Sequence, residues 1–115
     1  MNTLGKEGEA LAVEYIRKKG YRILERNYRT FSGEIDIIAR DGDTLVFVEV
    51  KARADHAFGY PFEAVDRRKR EKIRKVALGF MKALKKEVPA RFDVLSISMI
   101  NGRGSVEHIK DAFEV

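Results

Sequence analysis

Cysteine and tryptophan are absent from this 115-residue chain, and proline occurs only twice. Without cysteine there is no disulfide, no zinc–thiolate centre and no thiol nucleophile. The same absence fits a reducing compartment, and a cytoplasmic location is expected. No stretch approaches the roughly 18 consecutive apolar residues of a membrane span, so no membrane partner is expected. Residues 1–7 lack an apolar h-region, and no secretory signal is expected. Repeats, low-complexity tracts and linkers are also missing, which leaves one domain over residues 1–115 as the expectation.

What the chain does have is charge. Charged residues make up 36% and hydrophobic residues 44%; the first share is high and the second ordinary for a globular protein. The length is enough for one modest core. A net charge of +5 and a pI of about 9.6 lean towards an anionic partner such as nucleic acid.

Periodicity gives the elements. Leu4, Gly8, Leu11, Ala12, Tyr15 and Ile16 recur at helical spacing over residues 3–19, with Gly20 as a stop. Residues 21–29 read as a strand. Residues 34–40 and 45–53 flank Asp41-Gly42-Asp43-Thr44 and read as a β-hairpin. Residues 54–62 form a loop, a candidate flap over substrate, and a helix is expected over 63–87 before Pro89. Its stripe is Val65, Ile73, Val76, Ala77, Phe80 and Leu84. A strand over 91–100, a turn over 101–104 and an edge strand over 106–109 complete the order α-β-β-β-α-β-β. One mixed sheet of about five strands covered by two helices, an α/β fold, accommodates it.

Asp36, Glu49 and Lys51 sit inside the hairpin strands, where unpaired buried charge is costly. Strict alternation places Glu34, Asp36, Ile38 and Arg40 on one face, and Ile35, Ile37 and Ala39 on the other. In the next strand Leu45, Phe47, Glu49, Lys51 and Arg53 share a face. Val46, Val48, Val50 and Ala52 form an apolar opposite face that should pack under a helix. A four-residue loop sets Arg40 opposite Leu45, Asp36 opposite Glu49 and Glu34 opposite Lys51; a two-residue loop sets Asp36 diagonal to Glu49. Carboxylates so placed repel unless a positive charge lies between them. A magnesium-type cation supplies one, with the Val50 carbonyl as a further ligand and Lys51 at the edge to steady developing charge. A cross-strand network pairing Glu34 with Lys51 and Asp36 with an arginine answers the same spacing. Both readings stand at this point.

Around the patch, Glu9 falls on the shoulder of the first helix's stripe, with Gly5 and Gly8 allowing close approach to the sheet. An ordinary first-turn glutamate is the plainer reading. Lys69 lies within the second helix's stripe and should point at the sheet. Arg67, Arg68, Arg70 and Lys72, with Arg74 and Lys75, spread over the other faces, either as a solvated surface or as a track for a nucleic-acid backbone. His56 reads as a loop bystander, His108 as structural, and Asp93 as a partner for a basic residue or a group behind the site. Tyr15, Tyr21, Tyr28 and Phe31 read as core or rim rather than as stacking platforms.

At Asp36 and Glu49-Val50-Lys51 the chain resembles the PD-(D/E)XK nuclease superfamily, with its restriction-endonuclease-like fold. Over nearly its full length it resembles the YraN-like family of uncharacterised bacterial proteins. Gly8-Glu9-Ala10, Arg26-Asn27-Tyr28-Arg29, residues 33–39, residues 46–53 and Arg91-Phe92-Asp93-Val94 carry that likeness. It is also similar to archaeal Holliday-junction resolvases. The resemblance implies that Asp36 and Glu49 bind Mg2+ or Mn2+, that Lys51 is catalytic, and that Glu9 completes the site. From their places in the strands and on the second helix, Glu34 is expected to support the ligands, and Lys69, Arg67, Arg68, Arg70, Lys72 and Arg53 to contact DNA. Ile35 stands where the superfamily often has proline. Two functions are therefore expected: a metal-dependent nuclease-like protein acting on DNA, branched or junction DNA included, or a catalytically silent binding module of the same fold. Domain size permits a homodimer.

Overall fold

The computed structural model describes residues 3–53, 67–100 and 103–113; for Thr3, Leu4, Arg53 and Ile100 it describes the backbone alone. The elements are α1 (Thr3–Lys18), β1 (Arg22–Thr30), β2 (Gly33–Asp41), β3 (Thr44–Arg53), α2 (Arg67–Leu84), β4 (Ala90–Ile100) and β5 (Arg103–Phe113). The order is the expected one. No described helix is long and apolar enough to cross a membrane.

The strands form one sheet in sequence order, β1-β2-β3-β4-β5. All neighbours are antiparallel except β3 and β4, which run parallel with Leu45 beside Ala90 and Arg53 beside Ser98. A parallel pair needs a long crossover, and α2 lies in it. One helix covers each face. On one side Ala12, Val13 and Ile16 of α1 pack on Ile37, Ala39, Val46, Val48, Leu95 and Ile97. On the other, Ile73, Val76 and Ala77 of α2 pack on Ile35, Ile38, Phe47, Phe92 and Val94. The small apolar face of β3 thus lies under α1. Gly8 makes the closest part of that contact possible: a Cβ there would fall 2.6 Å from the Ala52 Cβ. The glycine expected to permit close approach does so.

Three boundaries differ from expectation. α2 ends at Leu84 rather than residue 87, because Lys85 turns left-handed (φ 57°) and its amide donates to the Lys82 carbonyl at 3.2 Å. Leu84, assigned to the apolar stripe, is consequently exposed at the helix rim. The expected helix start at 63–66, with Val65, lies outside the described residues. β5 covers eleven residues, not the four of a minimal edge strand. Its outer half carries few apolar residues, and it is held by pairing to the buried β4, with a register shift between Phe92 and Val94. The hairpin turn is tighter than four residues: Asp41 pairs with Thr44, and Gly42 takes φ 61°. The rung Arg40–Leu45 is the one counted for the four-residue loop.

Candidate functional site

The β2–β3 ladder runs from Asp41–Thr44 to Ile37–Val48. At the position where Asp36 would face Glu49, the Val50 amide donates instead to Asp36 Oδ2 at 2.8 Å. A side-chain carboxylate thus takes the place of a strand carbonyl, and it satisfies an amide that would otherwise be stranded. Alternation in β2 fails at the same point. Ile35 packs with Ile38 on the α2 side, while Ile37 and Ala39 pack on the α1 side. The strict alternation that grouped Ile35 with Ile37 is therefore corrected. Two residues three apart cannot share a face of a regular strand; the chain reorients at Asp36. β1 is distorted alongside: Asn27, between the rungs Arg26–Ile37 and Tyr28–Ile35, has φ 52°.

Glu49 is almost fully buried, at 8% exposure. Its Oε1 lies 2.5 Å from Lys69 Nζ and 3.4 Å from Lys51 Nζ. Lys69 reaches the sheet from α2, as its place in the apolar stripe requires. One carboxylate between two ammonium groups leaves a surplus of positive charge, and the lysines respond differently. Burial and the neighbouring Lys69 push the Lys51 ammonium below the usual lysine range. Burial pulls Lys69 the same way, but Glu49, Lys51 and the Asp36 charge together hold it above.

Asp36 carries no such cation at contact distance among the described residues. Burial, and then the Glu49 charge, push its carboxyl up to about 7, against a smaller downward pull from the Val50 amide. It opens into a cleft of about 450 Å³ walled by Lys6, Glu9 and Lys51 and floored by Val50 and Ala52. Glu9 reaches this cleft from α1 because Gly8 lets the helix sit on β3. Its Oε1 is buried and meets no hydrogen-bond partner among the described residues. A buried acceptor left unpartnered costs about 1–3 kcal/mol. Glu9 and Asp36 are the groups here able to hold a hard cation. Among the described residues no three acidic or imidazole side chains converge as a complete ion cage, since Glu49 is turned to the lysines.

The remaining expected site residues fall in several places. Glu34 pairs with Arg29 across the β1–β2 hairpin at 3.2 Å, not with Lys51; the ladder break removes the rung that would have joined them. Its charge still contributes to raising Asp36. Arg70 lies over the Phe113 ring, and Arg74 pairs with Glu71. Arg67, Arg68 and Lys72 are exposed on α2. The Arg53 side chain, His56 and the expected flap over 54–62 lie outside the described residues.

Sequence reasoning left one polar centre unresolved. Asp93, fully buried, accepts hydrogen bonds from Arg91 Nε at 3.0 Å and from the Asp111 amide at 3.0 Å, and its Oδ2 is 2.7 Å from His108 Nε2. Arg91 also donates to Asp41 and to the Tyr21 hydroxyl, and the Tyr15 hydroxyl lies 3.3 Å from His108 Nδ1. The basic partner considered for Asp93 is Arg91, two residues away on the same face. That spacing was the available signal; His108 arrives only through β5. Lys6, in the cleft wall, had no distinguishing sequence signal.

The fold and site define a small α/β domain, one helix on each face of a mixed sheet, with acids and lysines gathered where a strand ladder breaks. Residues 8–97 match the model of a family described as uncharacterised protein family UPF0102. A UPF0102 protein of Thermodesulfovibrio yellowstonii is 51% identical over 110 residues, covering 96% of this chain and 95% of the relative. One from Geobacter metallireducens is 48% identical over 114 residues, covering 98% and 93%. The chain belongs to the UPF0102 family, in accord with its YraN-like motifs.

Proposed function

We propose that this chain is a metal-dependent nuclease-like protein that binds DNA and hydrolyses its phosphodiester bonds. The observation carrying the reading is the Glu9–Asp36 cleft. One buried carboxylate oxygen lacks a partner among the described residues there, and the neighbouring carboxyl is pushed to about 7 by burial and by Glu49. An all-oxygen donor pair, with one buried oxygen lacking a partner among the described residues, suits Mg2+ or Mn2+, so Glu9 and Asp36 fit such an ion and would hold it. When bound, the ion supplies charge against phosphoryl oxygens and acidifies a coordinated water.

The chain's own groups do the rest. Lys51 stands in the cleft wall with its ammonium weakened, so a neutral amine is more accessible than in a free lysine. It can accept a proton from a water in the cleft or, protonated, stabilise charge on the phosphoryl group. Glu49 holds Lys51 and Lys69 in place. The exposed cations Arg67, Arg68 and Lys72 of α2 offer sequence-independent contacts to a phosphate backbone. A specific observation favours a second reading: Glu49 is engaged by lysines and the acids do not close a complete cage. A module that binds DNA without chemistry would show the same features.

Flapped, branched and single-stranded DNA incubated with Mn2+ or Mg2+ separates the two. Metal-dependent cleavage is expected, reduced at least about 100-fold in Asp36→Ala, the scale of losing a principal electrostatic group. An Asp36→Ala protein that cuts as well as the parent removes the nuclease reading. Titration calorimetry with Mn2+ showing no binding at millimolar ion, alongside retained DNA binding, selects the silent module.

A further inference from the structure

Phe31 is the outlier of the surface. It was expected in the core or at its rim, yet it is fully exposed (109% of the reference area) at the tip of the β1–β2 hairpin. Single exposed apolar residues are common, so exposure alone decides nothing. The tip itself is informative. Thr30 pairs with Gly33 around Phe31 and Ser32, and the Ser32 amide donates to Thr30 Oγ1 at 3.1 Å. Gly33, at φ 151°, seats the turn against α2: a Cβ there would lie 3.6 Å from the Lys72 Cβ and 3.7 Å from Val76 Cγ2. The hairpin is therefore anchored on a helix and holds its ring out in water. Turn chemistry does not ask for phenylalanine, since two-residue hairpin loops favour asparagine, aspartate or glycine, and neither Phe31 nor Ser32 takes positive φ. Nothing in the described packing uses the ring.

The surroundings indicate what it meets. Lys72, beside the turn, continues along α2 at helical spacing to Arg68 and Lys75, all exposed. Arg29, largely exposed and paired with Glu34, lies two residues before Phe31 at the end of β1. Asp36 lies five residues further along the same hairpin. A rigid aromatic ring rising from a basic surface is the arrangement in which bases stack while cations hold the backbone. Bases inside an intact duplex present no free face, whereas a fork or flap presents an unstacked one.

We propose that Phe31 is a stacking wedge that selects DNA containing an unpaired or unstacked base, and that Arg68, Lys72 and Lys75 carry the flanking phosphates. This deepens the DNA-directed reading of the Asp36 cleft and rests on it for the class of ligand.

The chain contains no tryptophan, so Phe31→Trp installs a sole indole reporter at the tip. Binding is measured by anisotropy with labelled forked DNA and with fully paired duplex of equal length, in EDTA so that no cleavage intervenes. The wild type should prefer the fork, and Phe31→Ala should weaken fork binding roughly ten-fold while leaving duplex binding unchanged. Phe31→Trp should retain the preference, with emission quenched by fork and not by duplex. Unchanged fork preference in Phe31→Ala, or equal quenching by both DNAs, overturns the wedge while leaving DNA binding intact. A fall in solution mass on Phe31→Ala also overturns it, because the ring would then join two copies of the chain. Absence of all DNA binding by the wild type overturns the underlying reading and the wedge together.

Discussion

Asp36 and Asp93 occupy comparable positions in the sheet and have opposite electrostatic fates. Each lies on a strand beside an irregularity, and each accepts a backbone amide there: Val50 for Asp36 at 2.8 Å, Asp111 for Asp93 at 3.0 Å. A residue in the left-handed region marks both places, Asn27 beside the first and Asp111 at the second. Asp93 is also surrounded by Arg91 and His108. Burial pushes its carboxyl up, but His108, the Asp111 amide and Arg91 together hold it below the usual range. Asp36 has the amide but, among the described residues, no cation in contact, and burial with Glu49 raises it to about 7 against the more distant Lys69 charge. Similar local chemistry therefore produces a closed structural centre in one place and, in the other, a cleft whose lysines do not touch the Asp36 carboxylate among the described residues. Completeness of partners separates the two more clearly than burial does.

The largest expected effect comes from opening the closed centre. Asp93→Asn removes the buried counter-charge of Arg91 and leaves it only the half-exposed Asp41; losing one partner of a buried pair is worth up to about 3–5 kcal/mol. Urea unfolding should show that loss; a change below about 1 kcal/mol would mean that the network is not a principal support of the fold. A second test reaches the cleft through packing. Gly8→Val should destabilise by about 1–3 kcal/mol, the usual range for overpacking, because its Cβ collides with Ala52 and forces α1 off β3. It should also weaken Mn2+ binding by moving Glu9, a loss that calorimetry measures separately. Mn2+ binding unaffected by a displaced helix would remove Glu9 from the site.

The pH test is the most diagnostic. A carboxyl raised in the folded state binds more protons folded than unfolded, so its contribution to stability is complete below its unfolded pKa, near 3.8, and is lost as pH rises through about 7. Asp36→Asn keeps an oxygen for the Val50 amide and removes the titration. In metal-free buffer the variant should melt above the wild type at pH 8, with the gap closing towards pH 5. Asp93 has the opposite sign. Its lowered pKa gives stability present above its unfolded value and lost as pH falls through the folded one, so its signature lies on the acid side. A wild type and Asp36→Asn with parallel melting profiles from pH 5 to 8 would show that Asp36 is not raised.

The sequence carried much of this. Hydrophobic spacing identified both helices and the central strands, because a face buried under a helix must repeat at the period of its element; β1 alternates irregularly, and β5 was expected only as a short edge over 106–109. The helical position of Lys69 placed it over the sheet, and Gly8 foretold close approach at β3. Strict alternation failed at Asp36 because a carboxylate beside an unpaired amide gains more by accepting its hydrogen bond than by keeping the pleat. The partners of Asp93 stayed open because His108 lies fifteen residues away on β5, and no local pattern records a cross-strand neighbour. Phe31 was misjudged because aromatic residues are usually buried, and only the anchored turn holds this one in water.

By itself, then, the sequence determined the elements, their apolar faces, the family and the acid and lysine residues of interest. The tertiary structure alone decided that Lys6 joins Glu9 and Asp36 in one cleft, that Glu49 lies against the lysines, and that Asp93 is neutralised where Asp36 is not. Period and propensity are local and survive in a one-dimensional record. Compensation of buried charge depends on which distant groups arrive within a few ångströms, and that is fixed only when the sheet and helices pack.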